Sequence, residues 1–194
     1  MILLLCAAAL AVGGTLLFAS YLFALRRTAL EAFLRLEAEL DRRYNLGLKL
    51  IRSTQDYLPA DADALEALID ARGTATQIAL DAFLRPECPA LVNDLTAADE
   101  AYGRALSDYA ERLRTLPTAS DPEIGKLLQT LAQTPDRVRP AEDAYNDAAD
   151  AYNGLRMALP NLLATASLPA HLPAFQFRPA PLRVLVPVSV AKAA

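Results

Sequence analysis

Residues 30–51, LEAFLRLEAELDRRYNLGLKLI, decide the fold. Leu30, Phe33, Leu36, Leu40, Tyr44, Leu48 and Ile51 recur at three- and four-residue steps. That spacing draws one apolar stripe along a helix and leaves Arg35, Glu39, Arg42 and Lys49 to the solvated side. No proline precedes Pro59, and the only glycines up to that point are Gly13, Gly14 and Gly47. Nothing therefore stops the helix on either flank, and the pattern predicts one continuous helix from the N-terminal region to about Tyr57.

Moving upstream, Ile2 to Leu25 is an unbroken apolar run closed by Arg26-Arg27. It holds no charged side chain, and its hydroxyls are Thr15, Ser20 and Tyr21. A helix of this length spans roughly 36 Å, enough to cross a bilayer core of about 30 Å with some tilt. Only Met1 precedes the run and no small-residue cleavage site lies between Tyr21 and Arg27, so the expectation is an uncleaved transmembrane anchor, residues 1–25. Cys6 follows Leu5, where a lipid-attachment site carries a small residue, and reads as an apolar thiol within the helix. Arg26, Arg27, Arg35, Arg42 and Arg43 all lie past the C-terminal end of the run. Basic residues favour the cytoplasmic side, so the expected location is the cell membrane with the bulk of the chain cytoplasmic. Ala7 with Ala11 and Ala9 with Gly13 are small-residue pairs that permit close helix approach and hence a homo-oligomer, although in so alanine-rich a segment ordinary lipid-facing small residues are the favoured reading.

Moving downstream, Pro59 and Asp61 end the first helix and start a second over about Ala62 to Leu84, with Leu65, Leu68, Ile69, Ile78, Leu80 and Phe83 as its apolar face. After the turn Pro86-Cys88-Pro89, a third helix is expected over about Ala90 to Leu116. Its stripe is Leu91, Leu95, Tyr102, Leu106, Tyr109 and Leu113. Ser120-Asp121-Pro122-Glu123 carries a capping side chain followed by proline in the first turn, where its missing N–H costs nothing. Thr134-Pro135-Asp136 repeats that chemistry, so the fourth arm divides into about Asp121 to Gln133 and Asp136 to Leu159, with Pro140 tolerated near the start of the second piece. Few segments alternate at period two. The fold class is all-α: the N-terminal membrane helix continues into an antiparallel up-and-down bundle of about four helices, residues 26–160.

Residues 161–194 differ. Pro160, Pro169, Pro173, Pro179, Pro181 and Pro187 exclude a long helix. Phe175, Phe177, Val184, Leu185, Val186, Val188 and Val190 make the stretch unlike a solvated linker. It is either an extended segment packed across the bundle or an irregular tail with an apolar patch for a partner or membrane surface. From Arg178 onward the second is expected.

The chain of 194 residues leaves room for about one domain beyond the anchor and tail. A net charge of −4 argues against nucleic acid as a main partner. With 2 cysteines, one inside the apolar run, no disulfide framework is implied.

Tyr145-Asn146 and Tyr152-Asn153 stand seven residues apart, about two helical turns, so both tyrosines share one face and both asparagines the adjoining one. Tyrosine fills a core and still hydrogen-bonds at its rim. Buried asparagines must find partners and so fix register. The structural role is favoured; the alternative is a binding groove. With these residues in view, three stretches resemble the LemA family. Ala32-Phe33 with Leu40-Asp41-Arg42-Arg43-Tyr44-Asn45-Leu46 is similar to its first-helix motif. Ala71-Arg72 is similar to its second-helix Ala-Arg. Ala144 to Ala148 through Tyr152-Asn153 and Leu159-Pro160 is similar to its last-helix double Tyr-Asn signature. The resemblance covers most of residues 1–177. It departs where Gly47-Leu48-Lys49 replaces Ile-Pro-Asn, where Asn45 replaces Asp, and where Pro169 to Pro173 replace a Gly-Phe stretch. It implies a membrane-anchored helical bundle whose motif residues, Arg42, Arg43, Tyr44, Asn45, Arg72, Tyr145, Asn146, Tyr152, Asn153 and Pro160, serve structure or interaction. Some relatives look like outward-facing lipoproteins.

Arg42 and Arg43 are expected to form solvated surface pairs, with Glu142 or Asp143 as candidate partners; contact with lipid headgroups would need a bent helix. Catalysis finds no footing. His171 stands alone between prolines, no nucleophile signature surrounds Cys88, and there is neither a phosphate loop nor Cys/His metal spacing. Asp56, Asp61 and Asp63 form an acidic corner that could attract a divalent cation, but capping and solubility explain it. The expectation is no enzyme, no cofactor and no metal. The leading function is a single-pass membrane scaffold recruiting an unidentified protein partner. The alternatives are a regulatory accessory subunit of another membrane protein or of membrane-organelle machinery, and, third, an enzyme or metal protein using the acidic corner.

Overall fold

A single helix, α1 (Ile2–Thr54), carries the 30–51 stripe and the apolar run before it without a break. The computed structural model describes residues 1–55, 62–114, 121–157, 170–179 and 182, leaving out the side chains of residues 2–5, 7–9, 11 and 62. Four more helices follow among these: α2 (Ala62–Leu84), α3 (Pro89–Arg114), α4 (Pro122–Ala132) and α5 (Pro135–Met157). At 53 residues, α1 is about 80 Å long and is the axis on which the others assemble.

Pairwise contacts fix the directions. The Phe33 and Phe83 rings are 4.8 Å apart, and eleven residues further along α1 the Arg72 Nε donates to the Tyr44 carbonyl at 3.0 Å, so α2 runs antiparallel to α1. On α3, Asp99 meets Arg43 and Tyr44 while Tyr109 meets Thr54, so α3 runs parallel to α1. The Tyr145 ring lies 4.6 Å from Phe33, and Arg137 pairs with Glu39 at 2.9 Å, so α5 returns antiparallel. The expected up-and-down bundle is the observed one.

The helix boundaries follow local chemistry. Asp121 caps α4 by accepting from the Glu123 N–H at 2.8 Å, with Pro122 in the first turn. The α4–α5 break falls at Gln133 and Thr134, where the Thr134 hydroxyl donates to the Leu131 carbonyl at 2.7 Å before Pro135 restarts the helix. The fourth arm is thus in two pieces, as its two Pro-containing starts foretell.

The core runs through Phe33, Leu36, Leu40, Tyr44, Leu50, Leu68, Leu95, Tyr102, Leu106, Tyr109, Tyr145 and Tyr152. On α2 the expected face needs correction. Ile69 and Leu80 are 47% and 54% exposed, whereas Ala75, Ala79 and Ala82 are buried. Small residues there let α2 lie close to its neighbours; Leu68 stays in the core and Phe83 packs on Phe33, while Ile69 and Leu80 are turned outward.

Three expectations meet their limits here. Among the described residues no helix is long and apolar enough to cross a membrane. Asp56, Asp61, Pro160 and most of the tail beyond Arg178 lie outside the described residues; Asp63 is exposed, and no described group of three or more His, Cys, Asp or Glu could hold a metal. Leu22 is 1% exposed, so the packed bundle begins before Arg26.

Candidate functional site

The residues of the double Tyr-Asn signature all face one extended segment of the same chain. Residues 170–177 run antiparallel along α5 as a strap, and its Leu172, Phe175 and Phe177 are buried. Each asparagine reads one strap residue twice. Asn146 Nδ2 donates to the Phe175 carbonyl at 2.9 Å, and its Oδ1 accepts from the Phe175 N–H at 3.0 Å. Asn153 does the same with Leu172, at 2.8 and 3.1 Å. The primary amide has the donor–acceptor pair of a peptide group, so each asparagine stands in for a neighbouring strand.

The tyrosines continue the pattern. Tyr145 donates to the Pro173 carbonyl at 2.6 Å, and Tyr152 to the Ala170 carbonyl at 3.3 Å. Glu142 accepts from the Phe177 N–H at 2.8 Å, and burial under the strap pushes its carboxyl above the usual range despite that bond. Spacing explains why the motif repeats at seven. Seven helical residues advance about 10.5 Å, and three extended residues advance about 9–10 Å. Asn146 to Asn153 and Tyr145 to Tyr152 each step seven on the helix. Phe175 to Leu172 and Pro173 to Ala170 each step three on the strap. The two periodicities coincide, so side chains can satisfy the backbone of an extended segment that has no sheet to join. Pro173 fits because the site asks for its carbonyl and not for an N–H.

Arg43 lies at the other end of this groove. It is 3% exposed and forms a buried ion pair with Asp99, which is 1% exposed. The same Asp99 oxygen accepts from the Tyr44 hydroxyl at 3.1 Å, while Asp99 Oδ2 has no partner among the described residues. The Arg43 guanidinium lies 4.9 Å from the Tyr102 ring centroid and 5.3 Å from that of Phe177. Tyr102 donates to the Arg43 carbonyl at 3.3 Å. Gly47 makes room for that hydroxyl, because a Cβ there would fall onto it. Burial raises the Asp99 carboxyl against the opposing pull of Arg43. Burial likewise raises the Tyr44 phenol well above its usual range and pushes Tyr102 up to about 12. The pair therefore ties α1 to α3, and through Phe177 to the strap.

This placement corrects the surface reading of the double arginine. Arg42 is exposed, but Arg43 is buried, and its partner is Asp99 rather than Glu142 or Asp143. Asn45 is exposed and donates to Asp41 on its own helix at 2.9 Å, so it belongs to no shared site. Tyr44, Arg72, Tyr145, Asn146, Tyr152 and Asn153 all hold one element to another. The extended reading of the tail holds for residues 170–177. Sequence reasoning did not name Asp99; it placed Tyr102 only on the apolar stripe of α3, Gly47 only among the departures from the family motif, and Glu142 only as a candidate arginine partner. Asp99 carried a legible signal: it falls on the apolar stripe between Leu95 and Tyr102, where an acid must have a buried partner.

A family model described as the LemA family matches residues 32–182, which takes in α1 from Ala32 onward, every later helix and the strap. No curated protein sequence matches the chain.

Proposed function

The chain belongs to the LemA family, and we propose that it is a non-catalytic, single-pass membrane-anchored scaffold that presents its bundle to protein partners at the membrane surface. The observation that carries the anchor is the two-part use of α1. From Leu22 onward the helix supplies the bundle core, but before it Leu10, Val12, Leu16, Leu17 and Tyr21 are 59–78% exposed. Among the described residues no packed element covers these side chains, and large apolar surface marks a membrane or protein contact. The span adds to them the apolar residues 2–5, 7–9 and 11 from the sequence. From Ile2 to Tyr21 is about 30 Å of helix, the thickness of a bilayer core. Arg26 and Arg27 then sit at the headgroup level, on the side that basic residues mark as cytoplasmic.

The use of the motif residues supports the non-catalytic part of this reading. Arg43, Tyr44, Arg72, Tyr145, Asn146, Tyr152 and Asn153 make hydrogen bonds between elements of the chain itself. Such use serves holding and positioning, which is the work of a scaffold.

The test is extraction of membranes from expressing cells. The chain should stay in the pellet through alkaline carbonate and leave only with detergent, and a tag at Ala194 should resist protease in intact cells and be cut after lysis. Release by carbonate would overturn the anchor. Cleavage in intact cells would reverse the orientation.

A further inference from the structure

The last turn of α5 lies against the part of α1 where the bundle gives way to the apolar run. The rings of Phe33 and Tyr145 are 4.6 Å apart on antiparallel helices. The step from Phe33 to Arg26 equals the step from Tyr145 to Tyr152, so Arg26 is level with Tyr152. By the same register Arg156 is level with Leu22, and Met157 with Tyr21. Leu22 is 1% exposed, in keeping with a helix lying over it. The local charges fit this register. Burial raises the Tyr152 phenol, and the charges of Arg156 and Arg26 pull it back, so both guanidiniums are within Coulombic reach of one hydroxyl.

Little in the described chain neutralises these two cations. Arg26 is half-buried, and its Nε is covered without a hydrogen-bond partner among the described residues. Its neighbour Arg27 pairs instead with Glu31 at 3.3 Å. The nearest acid on α5, Asp150, is two residues before Tyr152, about 200° round the helix, and exposed. The turn between α2 and α3 adds Arg85 and Glu87, whose charges cancel. The carbonyl end of α5 carries roughly half a negative charge, which two guanidiniums outweigh. The exposed side chains beside them are apolar or aromatic: Met157 at 77%, Tyr21 at 59% and Phe23 at 53%. Paired guanidinium N–H donors match the oxygens of a phosphate, and tyrosine favours the boundary between headgroups and acyl chains.

We propose that Arg26 and Arg156 form a binding site for the phosphate of an anionic phospholipid headgroup, with Met157 and Tyr21 resting on the acyl boundary beneath it. The site deepens the reading of α1 as an anchor and rests on it, because the anchor is what brings a headgroup to this level. With Arg26 among the headgroups, Met157 and Tyr21 lie about 7.5 Å nearer the acyl chains. The bundle then meets the membrane at two points, α1 through its span and α5 through a lipid held at its last turn. A second point of contact restrains the bundle from pivoting about α1 alone.

The experiment titrates the full-length chain in mild detergent with phosphatidylglycerol or phosphatidylcholine and counts bound lipid by native mass spectrometry. Phosphatidylglycerol should bind about tenfold more tightly, since each arginine near a membrane surface strengthens the attraction of anionic lipid roughly fivefold. Arg26→Gln/Arg156→Gln should abolish that preference. Arg104→Gln/Arg137→Gln, the same loss of charge at pairs higher in the bundle, should preserve it. Equal binding of the two lipids, or a preference that survives loss of Arg26 and Arg156, would overturn the site. Glycerophosphoglycerol, the headgroup without acyl chains, should fail to displace the lipid; displacement would assign the arginines to a soluble phosphate and equally overturn it. If the arginine variant loses its fold, circular dichroism reports it and the unmodified chain decides. Hydrogen exchange at amides 154–157 should then slow several-fold in nanodiscs containing phosphatidylglycerol relative to phosphatidylcholine alone, and equal exchange would refute the proposal. Lost lipid preference in a chain that still resists carbonate sinks this site and spares the anchor. Release by carbonate with the preference intact sinks the anchor and leaves the arginine chemistry standing.

Discussion

At the scale of single residues, the buried charges make the sharpest forecasts. Arg43→Met leaves the Asp99 carboxylate buried without its cation, and one-sided removal of a buried pair costs about 3–5 kcal/mol. Replacing both partners, Arg43→Met with Asp99→Leu, should recover most of that loss, because neither charge then needs a counter-charge. Urea melts of the two variants check the order; a double variant no better than the single would show that the Tyr44 hydroxyl bond to Asp99 matters more than the pair. Gly47 gives an opposite sign to the usual rule. Alanine in a helix interior ordinarily gains about 0.5–1 kcal/mol over glycine, yet here its methyl meets the Tyr102 hydroxyl. Gly47→Ala should therefore lower the melting temperature, and adding Tyr102→Phe should partly restore it. Tyr102 also sets an alkaline limit. Its phenol titrates near 10.0 when unfolded and about 12 when folded, so its contribution is intact below pH 10 and declines as pH rises from 10 towards 12. The loss approaches about 1.4 kcal/mol per pH unit in that window for this group. A stability series from pH 8 to 11.5 that stays flat would show the ring to be accessible to water.

At the scale of elements, the strap decides how α5 is read. Asn153→Ala removes both bonds to Leu172 and strands its buried N–H, which should cost about 1–3 kcal/mol, and Asn146→Ala the same at Phe175. Native-state hydrogen exchange should show amides 172, 175 and 177 opening together in either variant while the core of α3 stays protected; independent opening would mean that the strap is held by its side chains alone. Much of this was legible beforehand. The stripe 30–51, the α2 boundaries, the split fourth arm and the equivalence of the two Tyr-Asn pairs all follow from periodicity and proline chemistry, which act locally. The object that the asparagines hold was not legible. Nothing in the pattern Leu-Pro-Ala-Phe-Gln-Phe announces a seven-to-three match with a distant helix, because that match exists only once both are in place. The inward turn of Arg43 was missed for a related reason. Two adjacent arginines look alike in sequence, and only the 100° rotation between them sends one to solvent and the other to Asp99. Likewise Ala75, Ala79 and Ala82 outrank Ile69 and Leu80 in the core because closeness of approach, rather than hydrophobicity, was the local constraint.

At the scale of the whole molecule, α1 is asked to serve two media, and the division between them can be located. If the bundle starts at Leu22, residues 2–21 contribute nothing to its core. A chain lacking residues 2–21 should then unfold with a stability within about 0.5 kcal/mol of the parent, the range of changes at exposed surface, while losing its retention in the membrane fraction. Extending the deletion through Ala29 removes the buried Leu22 and Ala29. That change should lower stability by at least about 2–5 kcal/mol, the range for emptying one large core position. Thermal and urea melts of the two truncations, read by circular dichroism in the same detergent, place the boundary to within two helical turns. Equal stability of both would move the start of the bundle past Ala29 and give the whole of the first 29 residues to the anchor. A large loss already at residue 21 would mean that the exposed apolar side chains are packing against something in solution, and that α1 is a core helix along its full length.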